Sequence, residues 1–201
     1  VVMVDIDSEV IKFCKKYLKE WHKGAFDNPK TEIVYDDARK YVQETNRKFD
    51  VIISDLPDPV EKGPARLLYT KEFYNSVKRR LKKNGIFSLQ AGSFSLPQFS
   101  FHRIIYWTVK SVFENVYPYY EFVSSFDVPW AFILTADKYN PKKLSVTQIE
   151  RKLKQKRIKN LKYYNDETHQ KIFVIPPYVK KLYQESKLIN KDKNPASFFK
   201  W

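Results

Sequence analysis

The sequence predicts an α/β fold, a mostly parallel sheet with helices on both faces, and two observations carry that expectation. Strand-type and helix-type segments alternate along the first two thirds of the chain. Three successive apolar runs also end in aspartates, at Asp5/Asp7, Asp36/Asp37 and Asp55/Asp58, as expected when parallel strands present their carboxyl ends to one edge.

Taken in order, Val1–Asp7 reads as a buried strand and Ser8 as the N-cap of a helix over Glu9–Trp21, with Val10, Phe13, Cys14 and Leu18 on one stripe. Thr31–Tyr35 is a second strand, followed by a short helix near Ala38–Thr45. Phe49–Ser54, apolar but for Asp50 and Ser54, is a third strand. It enters Asp55-Leu-Pro-Asp-Pro59, where two prolines forbid continued helix or ladder pairing. A helix opening at Tyr69 or Thr70 runs to about Lys83, where Asn84-Gly85 stops it. Ile86–Gln90 is the fourth strand and His102–Phe113 a further helix. Val116–Val123 and Ala131–Ala136 close the sheet, antiparallel. The expected organisation is a catalytic domain over residues 1–140, a helical extension over 141–186 that includes a Lys-rich helix around Ser145–Arg157, and a flexible basic and aromatic tail over 187–201.

Composition narrows the function. The 201 residues are 43% apolar and 16% aromatic, enough to form a core and inconsistent with disorder. No apolar run approaches the roughly 18 residues that span a bilayer, so no membrane partner is expected. One cysteine, Cys14, excludes a disulfide framework and a multi-cysteine zinc site. His22, His102 and His169 lack metal-ligand spacing, and no metal is expected. The formal charge is +14, yet 29 of the 37 basic residues are Lys, spread along the whole chain as on a thermophile-type surface. Without RNA-recognition, zinc-finger or KH signatures, nucleic acid is not expected as the partner.

The strand-end carboxylates are the candidate site. They suit ribose hydroxyls, an exocyclic amine or a cationic organic substrate. With only four glycines and no phosphate-cradling Gly loop, nucleotide phosphate is disfavoured. Screening over about 8 Å lets such a local cluster stay negative inside a positive shell.

VVMVDID, YDDA, FDVIISDLPDPVEKGPARLLYTKEFY, GIFSLQAGS and LKYYNDETHQKIFVIPPYV, in this order from Val1 to about Leu182, resemble the spermidine-synthase family of aminopropyltransferases. The resemblance implies a Rossmann-like fold of the S-adenosylmethionine-dependent methyltransferase type. It also implies transfer of the aminopropyl group of decarboxylated S-adenosylmethionine, a co-substrate rather than a resident cofactor, to an amine, with release of methylthioadenosine. By position, Asp5 is implied to hold the ribose hydroxyls. Asp37, with Ala38 where the family usually has glycine, would meet the adenine amine. Asp55 is the implied general base and Asp58 the acceptor-amine carboxylate. Pro64 and Ala65 would wall the adenine pocket, Gln90 face the substrates and Tyr69 close the acceptor site. Phe126 and Trp130 could pack on methylenes or ammoniums.

Two departures bear on these implications. The family's first strand, its G-G-G-x-G turn and its N-terminal β domain are not in this chain. The chain is therefore expected to be the larger part of a protein of about 300 residues, cytoplasmic and a homodimer or homotetramer in full. Where putrescine-using members carry T-Y-P-S-G, this chain has Ser124-Ser-Phe-Asp-Val-Pro-Trp130, closer to members using agmatine, spermidine or longer polyamines, thermospermine synthases included. The alternatives are a catalytically silent polyamine- or nucleic-acid-binding module and a methyltransferase on the same fold.

Overall fold

The computed structural model describes residues 1–197, in two units, Val1–Arg47 and the chain from Lys48 onward. The aromatic end Phe198-Phe-Lys-Trp201 lies outside the described residues.

In the first unit, β1 (Val2–Asp5) pairs in parallel with β2 (Glu32–Tyr35), Val2 opposite Glu32 and Asp5 opposite Tyr35. Helix α1 (Ser8–Tyr17) is capped by Asp7 rather than by the expected Ser8. Asp7 is extended, and its Oδ1 accepts from Glu9 N at 2.8 Å and Val10 N at 3.2 Å, so Ser8 already stands inside the helix. The helix also stops before the expected Trp21: Leu18 leaves helical geometry, and α2 (Lys19–His22) follows as one separate turn that ends where Lys23 and Gly24 take positive φ. The expected apolar stripe is not the buried one. Ile11 is buried, while Val10 and Phe13 are exposed, because apolar residues wrap more of α1 than the one face this unit covers. Helix α3 (Ala38–Glu44) takes Asp37 as its cap.

In the second unit, a four-stranded sheet has the order β3-β4-β6-β5. Strand β3 (Phe49–Ser54) runs parallel to β4 (Leu81–Ser93), and β6 (Val128–Ala136) is antiparallel to β4 and to β5 (Val116–Val123). The antiparallel closure expected from the sequence is present. Helix α4 (Lys71–Arg80) ends three residues earlier than the Asn84-Gly85 stop implies. Leu81 turns extended and pairs with Phe49, and Lys82 Nζ reaches Asp50 at 2.8 Å, so the strand ladder takes this segment from the helix. Asn84, at φ 62°, stands inside the strand.

Alternation along β4 decides what each face does. Phe87, Leu89 and Ala91 point into a core with Phe73, Tyr74 and Val77 of α4 and Ile105 and Val109 of α5 (Phe99–Lys110), all at most 3% exposed. The intervening Ser88 and Gln90 face the other side, where Trp130 and Phe132 of β6 also lie. Beyond the sheet come α6 (Val146–Gln155), α7 (Asp166–Ile172) and α8 (Pro177–Leu182).

The tail expected to be flexible from residue 187 is tied down in part. Asn190 is 2% exposed; its N–H donates to Thr108 Oγ1 at 2.8 Å, its amide donates to the Tyr69 carbonyl at 3.1 Å, and its own carbonyl accepts from Lys71 N at 2.9 Å. Residues far away in sequence supply these partners, so the polar composition of the tail does not reveal them.

Candidate active site

Strand β3 ends at Ser54, and the two prolines of Asp55-Leu-Pro-Asp-Pro59 turn the backbone out of the ladder. The Leu56 and Pro57 carbonyls are thereby left to side-chain donors, and Asp55 and Asp58 to line a cavity. Its volume is about 310 Å³. Asp55, Leu56, Pro57 and Asp58 form one wall, Gln90 the floor, and Val123, Phe126, Trp130 and Phe132 the opposite, aromatic wall. The Phe126 and Trp130 rings meet at 4.7 Å. Phe126 sits in the β5–β6 hairpin, whose turn is closed by bonds from Phe126 N and Asp127 N to the Val123 carbonyl.

Gln90 organises the floor. Its Nε2 donates to the Leu56 carbonyl at 2.8 Å and stands 2.5 Å from Tyr69 Oη and 3.4 Å from Asp58 Oδ1. Its Oε1 accepts from Trp130 Nε1 at 3.0 Å and from Gly92 N at 2.9 Å, the latter in a turn where Gly92 has φ 79°. Both ends of the amide are thus committed to protein partners, and Gln90 serves the cavity chiefly by holding its two walls in register.

Tyr69 stands behind that floor. It is 1% exposed, and its hydroxyl donates toward the Leu56 and Pro57 carbonyls at 3.2 and 3.3 Å. Burial, then the neighbouring charge of Asp58, pushes its phenol well above the ordinary tyrosine range, so it remains a neutral donor. Burial likewise raises the Asp58 carboxyl, and the Gln90 bond partly opposes that rise. Asp55 is exposed at the mouth.

Of the residues singled out from the sequence, Asp55, Asp58, Gln90, Phe126 and Trp130 therefore share one cavity. Tyr69 does not line it but supports it from below. Pro64 and buried Ala65 begin the 3-10 turn Pro64–Tyr69 that delivers Tyr69. Asp5, Asp37 and Ala38 belong to the first unit. There Asp5 Oδ1 accepts from Asp7 N at 2.9 Å, and Asp37 Oδ1 accepts from Arg39 N at 2.7 Å and Lys40 N at 3.1 Å. Ala38 is the first residue of α3. Asp36 pairs with Lys40. Sequence reasoning missed Leu56, Pro57, Val123 and Phe132. Only Phe132 was within reach, because two-residue alternation from Trp130 puts it on the same face.

Among the described residues there is no group of three or more His, Cys, Asp or Glu side chains placed to hold a metal ion, and no helix long and apolar enough to cross a membrane.

Comparison with known proteins gives one consistent outcome. Residues 1–148 match the family described as the spermine/spermidine synthase domain. The polyamine aminopropyltransferase of Sulfurisphaera tokodaii is 42% identical over 197 residues, covering 98% of this chain and 65% of its own. Polyamine aminopropyltransferase 2 of Hyperthermus butylicus is 40% identical over 196 residues, covering 98% and 64%. The chain thus spans about two thirds of the length of these relatives, a little under that in each. Among solved structures, spermidine synthase from Thermotoga maritima superposes with a TM-score of 0.76 at 30% identity, over 92% of this chain and 60% of that one. A spermidine synthase in complex with the transition-state analogue AdoDATO gives 0.79 at 30% identity, over 92% and 61%. The fold expected from the sequence, Rossmann-like and of the methyltransferase type, is the fold these neighbours share.

Proposed function

The chain belongs to the spermine/spermidine synthase family, and from that premise we propose that the protein transfers the aminopropyl group of decarboxylated S-adenosylmethionine to a polyamine or agmatine, releasing methylthioadenosine. The observation that carries the reading is the cavity in which Asp55 and Asp58 face the aromatic wall of Phe126 and Trp130. Carboxylates opposite aromatic faces suit an alkyl chain bearing ammonium groups, since one wall takes the charge and the other takes methylenes and cations.

The chemistry asks little else of the protein. The attacking amine forms a C–N bond to the methylene beside the sulfonium. The C–S bond breaks with its electron pair going to sulfur, which leaves as a neutral thioether. Because the sulfonium already carries its leaving group, the reaction calls for no metal and no resident cofactor. What must be supplied is alignment and removal of one proton. A free alkylammonium has a pKa of about 10, like lysine, so only about one in a thousand is nucleophilic at pH 7. Asp55, at the cavity mouth, takes that proton, while Asp58, held by Gln90, keeps a second nitrogen in register. Tyr69 acts on the acceptor site through Gln90. On the donor side, Asp5 takes the ribose hydroxyls, Asp37 with Ala38 the adenine amine, and Pro64 and Ala65 the adenine wall. The Ser124–Trp130 hairpin in place of T-Y-P-S-G supports an acceptor longer than putrescine. The full-length protein works in the cytoplasm as a homodimer or homotetramer.

The test is to incubate the full-length protein with decarboxylated S-adenosylmethionine and, in turn, putrescine, agmatine, spermidine and spermine, and to measure methylthioadenosine. Asp55→Asn is expected to lower kcat by orders of magnitude with methylthioadenosine binding nearly intact. No release with any amine overturns the proposal, and an unimpaired Asp55→Asn removes that residue from it.

A further inference from the structure

A diamine has two nitrogens, and Asp55 and Asp58 account for both: one carboxylate removes the reacting proton, the other holds the remaining ammonium. A triamine brings a further positive charge, which needs its own partner when drawn along an aromatic wall out of bulk water. The sheet offers one. Glu121 on β5 stands directly opposite Trp130 in the antiparallel ladder and two residues from Val123. Opposed residues share a face, and so do residues two apart. Glu121 therefore lies on the face that carries Val123, Trp130 and Phe132, next along from the cavity wall. The walk from the loop after β3 across β4 and β6 to β5 is three strand spacings of about 4.8 Å, about 14 Å, and an extended triamine with nine skeletal bonds, about 11 Å long, covers it once a carboxylate–ammonium contact of about 2.8 Å is added at each end.

Glu121 already shows what it binds. The Lys171 ammonium sits 2.9 Å from each of its carboxylate oxygens, Tyr163 Oη donates to Oε2, and Phe122 N donates to Oε1 at 2.8 Å. Burial pushes the carboxyl up, but the bonds from Tyr163, Lys171 and Phe122 outweigh it, and it is held below the usual range and ionised. The two partners of the ion pair differ in exposure: the Glu121 side chain is 19% exposed and that of Lys171 66%. The carboxylate is fixed in the sheet while its ammonium reaches in from solvent, and such a partner is cheaply exchanged for another ammonium.

We propose, resting on the aminopropyl-transfer reading, that Glu121 is the subsite for the third nitrogen of a triamine or longer acceptor, and that Lys171 holds this place until the substrate displaces it. A purely structural ion pair would make no distinction between amines of different length.

The experiment compares kcat/KM for spermidine and for putrescine in the full-length protein, for the parent, Glu121→Gln and Lys171→Ala. Glu121→Gln is expected to lower the spermidine-to-putrescine ratio about tenfold, the scale of one charge-assisted contact. Lys171→Ala, which removes the competitor, is expected to raise the ratio about threefold. Ratios within twofold of the parent in both variants overturn the inference, as does a parent that alkylates only the diamine. If Glu121→Gln fails to fold, Lys171→Ala alone decides. A parent that alkylates no amine removes the functional reading, and this inference with it, so the two failures are told apart by the parent's own turnover.

Discussion

Replacing Tyr69 by Phe is the sharpest probe of how the cavity is held. The ring is 1% exposed, packs 6.0 Å from Phe101, and would keep its place in the variant, so the substitution removes one oxygen and almost no apolar contact. That oxygen donates toward the Leu56 and Pro57 carbonyls and stands 2.5 Å from Gln90 Nε2. Leu56 keeps Gln90 as a donor at 2.8 Å, but Pro57 loses its donor and Gln90 one of its acceptors. Two bonds of about 1 kcal/mol each, in a site with little access to water, put the cost at about 2 kcal/mol. For a chain of this size that is a fall in Tm of about 4–8 °C. The freed Gln90 also loosens its hold on Asp58 and Trp130, so KM for the amine should rise more than kcat falls. Differential scanning calorimetry and steady-state kinetics on parent and variant check both statements. A Tm within about one degree of the parent, together with an unchanged amine KM, would refute the reasoning that Tyr69 braces the floor.

Three further outcomes follow from the same geometry. Burial raises the Asp58 carboxyl above its unfolded value, so between those two values the folded chain binds more protons and stability falls as pH rises. Asp58→Asn should flatten that fall while raising amine KM, and an unaltered pH–stability curve in urea titrations would contradict it. His102 is 0% exposed; its Nδ1–H donates to the Ala91 carbonyl at 3.0 Å, which leaves Nε2 to accept from Tyr183 Oη at 2.7 Å, and burial, only partly opposed by the Ala91 bond, brings its pKa down to about 4. Below the unfolded value of about 6.5 the unfolded chain binds a proton the folded one refuses. Stability that is complete above pH 6.5 is therefore lost as pH falls toward 4, by about 3 kcal/mol in all. In His102→Asn that component should vanish from the acid limb measured by urea unfolding. Asn190→Ala leaves the Tyr69 carbonyl and Ala196 N without their side-chain partners and should cost about 2–4 kcal/mol in urea unfolding; a change under about 0.5 kcal/mol would show the segment to be dispensable.

Much of this protein was legible in the order of its residues. Alternating apolar runs and turn residues fixed the succession of strands and helices, because those signals act over a few neighbours. The paired prolines in Asp55-Leu-Pro-Asp-Pro59 marked a loop that had to leave the sheet, and with it the carboxylates of the cavity. Errors cluster where two local signals compete. Asp7 and Ser8 are both good caps, and only the carboxylate reaches two amides. The stretch after Arg80 could continue a helix or begin a strand, and pairing with β3 decides it.

What the sequence determined alone is thus the kind of element at each position and the chemical character of the loop after β3. The tertiary structure decided which groups touch. Gln90 meets Leu56, Asp58, Tyr69 and Trp130 at sequence separations of 34, 32, 21 and 40 residues, and Asn190 meets Tyr69 at 121. Local propensity has no range at such separations. Those bonds form because β4 sits between β3 and β6, which brings distant polar groups together out of water, where an unmade hydrogen bond is costly.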